Sequence, residues 1–226
     1  MAVRAILFDS GGVLMRPIGG RWHPRADFER TVLAWAAPAP GPRLTPRDFA
    51  RAISAGDRFF EQSAGTPDLD DYHRVLLAEL GVDAPDALLA ELTRPVEPAA
   101  VLEIFPDVLP TLLELRRRGV RMAVVSDAWP DLPDLHAGLG IRDFFEAYAI
   151  SAVLGCRKPD PRMYHHASSA LGLAPADCLF VDDDPALVEA AIELGYAGRV
   201  IRRDADHGEP GAVPSIATLA QLPSLL

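Results

Sequence analysis

Residues 3–8 form an apolar run, broken only by Arg4, that ends abruptly at Asp9-Ser10-Gly11-Gly12. Nothing else in the chain constrains the fold as strongly. A short apolar run bounded by turn residues reads as a strand buried on both faces. Such a strand belongs to a parallel sheet covered by helices on each side. Comparable runs recur at 120–125, 147–150, 178–181 and 199–201. Helical patterns lie between them at 110–118, 161–171 and 185–194, followed by Gly119, Gly172 and Gly195, residues suited to closing a helix. This alternation predicts an α/β fold, a doubly wound parallel sheet. Ligands of such sheets sit beyond the carboxyl ends of the strands, and Asp9, Ser126 and Asp182 all fall at such ends.

Residues 15–104 carry no strand signal. Helical segments are expected near 25–37, 46–61, 69–80 and 85–92, and the Pro-rich stretch 36–42 reads as a loop. Parallel strands need a crossover of only about a dozen residues. The excess reads as a small helical insertion placed over the active edge of the sheet. The expected division is therefore a core of 1–14 and 105–226 with a helical cap of 15–104. Residues 204–214 read as a polar loop, and 216–226 as a tail packing back on the core.

Charge narrows the partners. With 22 Lys and Arg against 32 Asp and Glu, the net charge is −10. This disfavours nucleic acid and anionic membrane surfaces, both of which call for positive patches. No apolar run approaches the roughly 18 residues of a spanning helix. The start of the chain lacks the small-residue cleavage site of a signal peptide. Cys156 and Cys178 read as free thiols in a reducing compartment. A cytoplasmic monomer or homodimer is expected. Lys158 is the only lysine in a chain whose other long cations are all arginine.

The strand ends carry the chemistry. Asp9 at a strand tip, followed by Gly11 and Gly12, can approach a ligand closely while the glycines expose backbone groups. Val124-Val125-Ser126-Asp127 offers a hydroxyl and neighbouring amides to a phosphate oxygen. Gly155-Cys156-Arg157-Lys158-Pro159-Asp160 brings a compact cation. Phe180-Val181-Asp182-Asp183-Asp184 is a cluster of hard oxygen ligands of the kind that suits Mg²⁺.

These four segments, in this order and spacing, resemble the haloacid dehalogenase superfamily of aspartate-nucleophile phosphatases and their relatives. The resemblance implies a Mg²⁺-dependent hydrolase of a small phosphorylated metabolite. Asp9 would be the nucleophile and Lys158 would stabilise the charge on the transferred group. Phosphate contacts would come from Ser10, Gly11, Gly12, Ser126, Asp127 and Lys158. Mg²⁺ would be held by Asp9, the Gly11 carbonyl and Asp183, with Asp182 supporting them or exchanging roles with Asp183.

The chain also departs from that pattern. Most phosphatases of the family carry a second aspartate two positions after the nucleophile, as a general acid; here that position is Gly11. Candidates to replace it are His23 and Asp27, near the entrance to the helical insertion, where Trp22 is a candidate pocket residue. A substrate with a good leaving group would not need the acid. Leu187 stands where the family often places a polar residue that anchors the lysine, so Lys158 needs another partner, with Asp182 the nearest in kind. Asp127 is unfavourable beside a phosphate unless it points away. Two alternatives follow from Gly11. One is a metal-independent 2-haloacid dehalogenase with a halide cradle drawn from Arg16, Arg21 and Trp22. The other is a protein that binds phosphate ligands without efficient turnover. Other residues read as structural: Asp184 as a helix cap before Pro185, Arg116, Arg117 and Arg118 as a helix end, and Trp35, Trp129, His165 and His166 as packing or surface groups.

Overall fold

A computed structural model describes residues 3–36, 43–203 and 213–226. In chain order the elements are β1 (Ala5–Phe8), β2 (Met15–Pro17), α1 (Phe28–Ala36), α2 (Pro46–Gln62), α3 (Leu69–Leu80), α4 (Asp86–Thr93), α5 (Pro98–Val101) and β3 (Leu102–Ile104). They continue with α6 (Val108–Arg117), β4 (Arg121–Ser126), α7 (Leu132–Gly138), β5 (Ala147–Ile150), α8 (Ser151–Leu154) and α9 (Pro161–Ala170). Last come β6 (Cys178–Asp182), α10 (Pro185–Glu193), β7 (Ala197–Ile201), β8 (Ser215–Ile216) and a 3₁₀ segment, Leu219–Leu225.

Six strands form one parallel sheet in the order β5-β4-β1-β6-β7-β8, the α/β architecture expected. Side chains alternate across the strands, and the alternation divides the core into two layers. Ile6, Phe8, Met122, Val124, Leu179 and Val181 pack on one face. Ala5, Leu7, Ala123, Val125, Cys178 and Phe180 pack on the other. The runs are apolar without a break because each face meets its own helical layer. Ile216, Leu219 and Leu222 join the first layer, so the tail packs back on the core.

Helices α1 to α4 surround a separate apolar cluster that includes Phe28, Val32, Phe49, Leu76, Leu77, Leu88 and Leu89. Their ends follow local chemistry. Thr45 and Asp48 form a capping box at the start of α2, and Asp68 caps α3, which closes at Gly81.

One expectation is corrected here. The stretch 15–104 does contain strands: β2 and β3 pair antiparallel where the chain leaves and re-enters the sheet region. Each is three residues long with one buried residue, Met15 or Leu102, too little to show a period in sequence. The loops expected at 36–42 and 204–214 lie largely outside the described residues. Cys156 and Cys178 are buried and free. Among the described residues no helix is long and apolar enough to cross a membrane.

Candidate active site

Register brings the strand ends together. β1 lies between β4 and β6, with Phe8 opposite both Val124 and Val181. Asp9 is therefore level with Asp182, and its amide donates to the Val181 carbonyl at 2.9 Å. Ser126 ends the neighbouring strand; it, Asp9 and Asp182 are all buried.

Lys158 reaches this edge from the loop between α8 and α9. Its Nζ donates to Asp9 Oδ1 and to Asp182 Oδ2, both at 2.7 Å. Burying an ammonium costs several kcal/mol unless it is paired. Two short charge-assisted bonds provide that pairing. Burial works against the Lys158 charge, but Asp9, Asp182 and Asp127 outweigh it and hold the ammonium above the ordinary lysine range. Asp182 is thus the partner that orients the lysine where Leu187 offers no polar side chain. Leu187 contributes only its carbonyl, which accepts from the Tyr164 hydroxyl at 3.0 Å.

Carboxylate oxygens of Asp9, Asp182 and Asp183 lie within 4.8 Å of one another. The oxygens of Asp182 are committed elsewhere, Oδ2 to Lys158 and Oδ1 to the Asp184 amide at 2.9 Å. Asp9 and Asp183 remain as the carboxylate donors, an all-oxygen set that fits a hard divalent cation. Gly12 makes the Asp183 position possible: it has φ +75°, and a Cβ there would lie 2.2 Å from Asp183 Oδ2. Burial raises the Asp9 carboxyl well above its usual range against the pull of Lys158. Burial, then the neighbouring Asp182, pushes Asp183 up to about 6.

The other expected residues are distributed around this centre. The Ser10 hydroxyl turns away from the strand tip onto His136 Nε2 at 2.8 Å, and His136 Nδ1 meets the Tyr148 hydroxyl at 3.0 Å. Asp127 does not face the ligand side with its carboxylate: Oδ1 accepts from the Lys158 amide at 3.1 Å and Oδ2 lies 3.8 Å from Arg157 Nε. It holds the lysine loop instead. Asp184 accepts from the Ala186 amide at 2.8 Å, the capping role expected of it.

Among the cap candidates, the Trp22 indole sits directly over Gly11. His23 packs edge-on against Trp129, ring centroids 4.2 Å apart. Burial, with a smaller contribution from His73, lowers the His23 pKa to about 4, which leaves the ring neutral at pH 7. Asp27 is paired with Arg25 and Arg94, both at 3.1 Å, and is not a free proton donor. Arg16 pairs with Glu103 and Arg21 with Glu29, each at 2.7 Å. The helical unit touches the rim of the site through the Trp129 indole N–H to the Pro67 carbonyl at 2.8 Å and Arg157 to the Phe60 carbonyl at 2.7 Å.

His136 and Tyr148 were not visible as site residues in the sequence. His136 lies on α7, a helix too short to be read from periodicity, and its partner Ser10 is distant in the chain.

A strand-tip aspartate bonded to a buried lysine, beside a second strand tip of carboxylates, on a doubly wound sheet, defines an aspartate-centred α/β hydrolase. The chain belongs to the haloacid dehalogenase-like hydrolases: the family's sequence model matches residues 3–195. It is 28% identical to Phosphatase MT3486 of Mycobacterium tuberculosis over 98% of this chain and 97% of that protein. It is 28% identical to the sesquiterpene phosphatase astK of Aspergillus oryzae over 86% of this chain and 88% of that one. A 2-haloacid dehalogenase from Pseudomonas syringae pv. tomato has the same fold, with a TM-score of 0.67 at 20% identity, covering 99% of this chain and 97% of its own.

Proposed function

We propose that the protein is a Mg²⁺-dependent phosphatase acting on a small phosphorylated metabolite through an aspartyl-phosphate at Asp9. The observation that carries this reading is the single ammonium of Lys158 bonded to Asp9 and Asp182, with Asp183 alongside. The names of the relatives in Mycobacterium and Aspergillus support it.

Asp9 Oδ1 is held by Lys158, so Oδ2 is the oxygen presented for attack on phosphorus. The Asp9–phosphorus bond forms as the bond to the leaving oxygen breaks. Lys158 and the Ser126 hydroxyl stabilise negative charge on the phosphoryl group in flight. Water then attacks phosphorus, phosphate departs and the Asp9 carboxylate is regenerated. Asp9, Asp183 and the Gly11 carbonyl would hold the Mg²⁺, whose contribution is to neutralise the carboxylates and the phosphoryl oxygens. The helical unit over the rim excludes water and selects the organic group.

Gly11 and the shared fold keep the dehalogenase reading in view. That chemistry needs cationic or aromatic groups free to cradle a halide, and Arg16 and Arg21 are engaged by glutamates. One panel separates the readings: sugar phosphates, nucleotides, acyl phosphates and 2-haloacids, each with Mg²⁺ and with chelator. Phosphate release that stops with chelator supports the proposal. Chloride release indifferent to chelator replaces it with dehalogenation. Thermal stabilisation by ligands without product replaces it with binding alone. Asp9→Asn is expected to lower phosphate release by at least about 10³-fold in a chain with unchanged circular dichroism.

A further inference from the structure

The space above Gly11 belongs to Trp22. A Cβ on residue 11 would lie 3.0 Å from Trp22 Cζ2, 3.4 Å from Cη2 and 3.5 Å from Cε2. Gly12 has the positive φ that favours glycine, but Gly11 does not. The main chain at 11 therefore accepts any residue, and what a side chain would meet there is the indole. Gly11 and Trp22 form one coupled feature.

We propose that this pair sets the specificity of the site and restricts it to phosphate monoesters with flat, weakly basic leaving groups, aryl or enol phosphates. The inference rests on the phosphatase reading above and names its substrate class.

The site lacks a proton donor for the leaving oxygen. Position 11 is two residues beyond the nucleophile, on the loop at the tip of β1, and what stands over it is a ring edge that has no acid to give. The other nearby acids are committed: Asp27 to Arg25 and Arg94, Asp127 to the Lys158 amide, and Asp182 to Lys158 and the Asp184 amide, while Asp183 is the carboxylate assigned to the cation. A leaving oxygen that departs unprotonated must be stable as an anion. Phenols, with pKa about 10, meet that condition far better than alkanols.

Trp22 is 40% accessible with its ring edge over Gly11, so part of this large apolar residue is exposed close to the nucleophile loop. Next to it in the chain, His23 packs on Trp129, which in turn packs on Phe60 and Tyr72. The Trp129 N–H is spent on Pro67. A flat, apolar group buries its surface against the accessible part of Trp22, whereas a polyol would lose hydrogen bonds to water without replacement.

The test uses the full chain with Mg²⁺ and 4-nitrophenyl, phenyl and propyl phosphate. In the parent protein kcat/KM should fall steeply as the leaving group becomes more basic, propyl phosphate lying at least about 10²-fold below phenyl phosphate. In the double variant Gly11→Asp, Trp22→Ala the carboxyl has room, and the phenyl-to-propyl ratio should narrow by about tenfold or more. Gly11→Asp alone, with the indole in place, should leave the ratio steep. A parent that treats phenyl and propyl phosphate alike overturns the proposal, as does a folded double variant whose ratio is unchanged.

A binding arm stands apart from turnover. Phenylphosphonate and propylphosphonate are titrated calorimetrically into Asp9→Asn with and without Trp22→Ala. A preference for the phenyl compound that disappears with Trp22→Ala supports the pair, and equal affinities overturn it. If no phosphate ester is hydrolysed at all, the phosphatase reading fails, and this binding preference alone decides the role of Trp22.

Discussion

One nitrogen ties the two sides of the active edge together. Lys158 Nζ satisfies a carboxylate on β1's tip and another on β6's, and its side chain is only 3% exposed. A guanidinium is planar and wider, and cannot place one donor on each acid from the same point. Lys158→Arg is therefore expected to lower kcat by about 10²-fold or more, through lost stabilisation of the transferred group. Unimpaired turnover in that variant would show that the position needs only a positive charge. Gly12→Ala tests the other side of the centre. An added methyl meets Asp183 Oδ2 at 2.2 Å on a left-handed backbone. It should cost about 1–2 kcal/mol of stability and weaken Mg²⁺ activation, read as the Mg²⁺ concentration giving half-maximal rate. Asp9 and Asp182 are legible in sequence because each stands at a strand end, and Lys158 because it is the chain's one lysine, on the loop before α9. The use of Ser10 is not. Its hydroxyl is claimed by His136, and sequence contains no trace of a contact made across the fold.

At the scale of elements, α7 carries a pH dependence. Burial lowers the His136 pKa to about 4 against an unfolded value of 6.5. Between those values the unfolded chain binds a proton that the folded chain refuses, so stability falls as pH drops through the window. The contribution of His136 is on the order of 3 kcal/mol across it. Urea unfolding at pH 7.5 and at pH 4.5 should show a larger acid loss in the parent than in His136→Asn, whose amide does not titrate. Equal losses would assign the acid sensitivity to other groups. Most elements were legible for one reason: β1, β4, β5 and β6 are buried on both faces, and the helices between them end at glycine or begin at proline. The β2–β3 ribbon and β8 leave no pattern in the sequence. They are two or three residues long, and their pairing depends on where the rest of the chain brings them.

Across the whole molecule, Asp107 fastens the tail and Arg203 to the start of α6. Its carboxylate accepts from Arg203 at 2.9 and 3.1 Å, from the Thr218 hydroxyl at 2.5 Å and from the Leu219 amide at 2.8 Å. Asp107→Ala leaves these donors partly unpaired and should cost about 2 kcal/mol, seen as a lower urea midpoint. The order of strands has its own consequence for how the chain is made. β1 is interior to the sheet, with Ala5 facing Arg121 on one side and Cys178 on the other. On the ribosome β1 emerges long before either neighbour, while α1 to α4 can already gather around their own cluster. Until β4 and then β6 follow, an apolar strand waits with both edges open, a hazard for aggregation. Nascent chains halted before β4 are expected to depend on chaperones. Asp9 is thus made 149 residues ahead of Lys158, and it acquires its lysine and acidic neighbours only once β6 has followed.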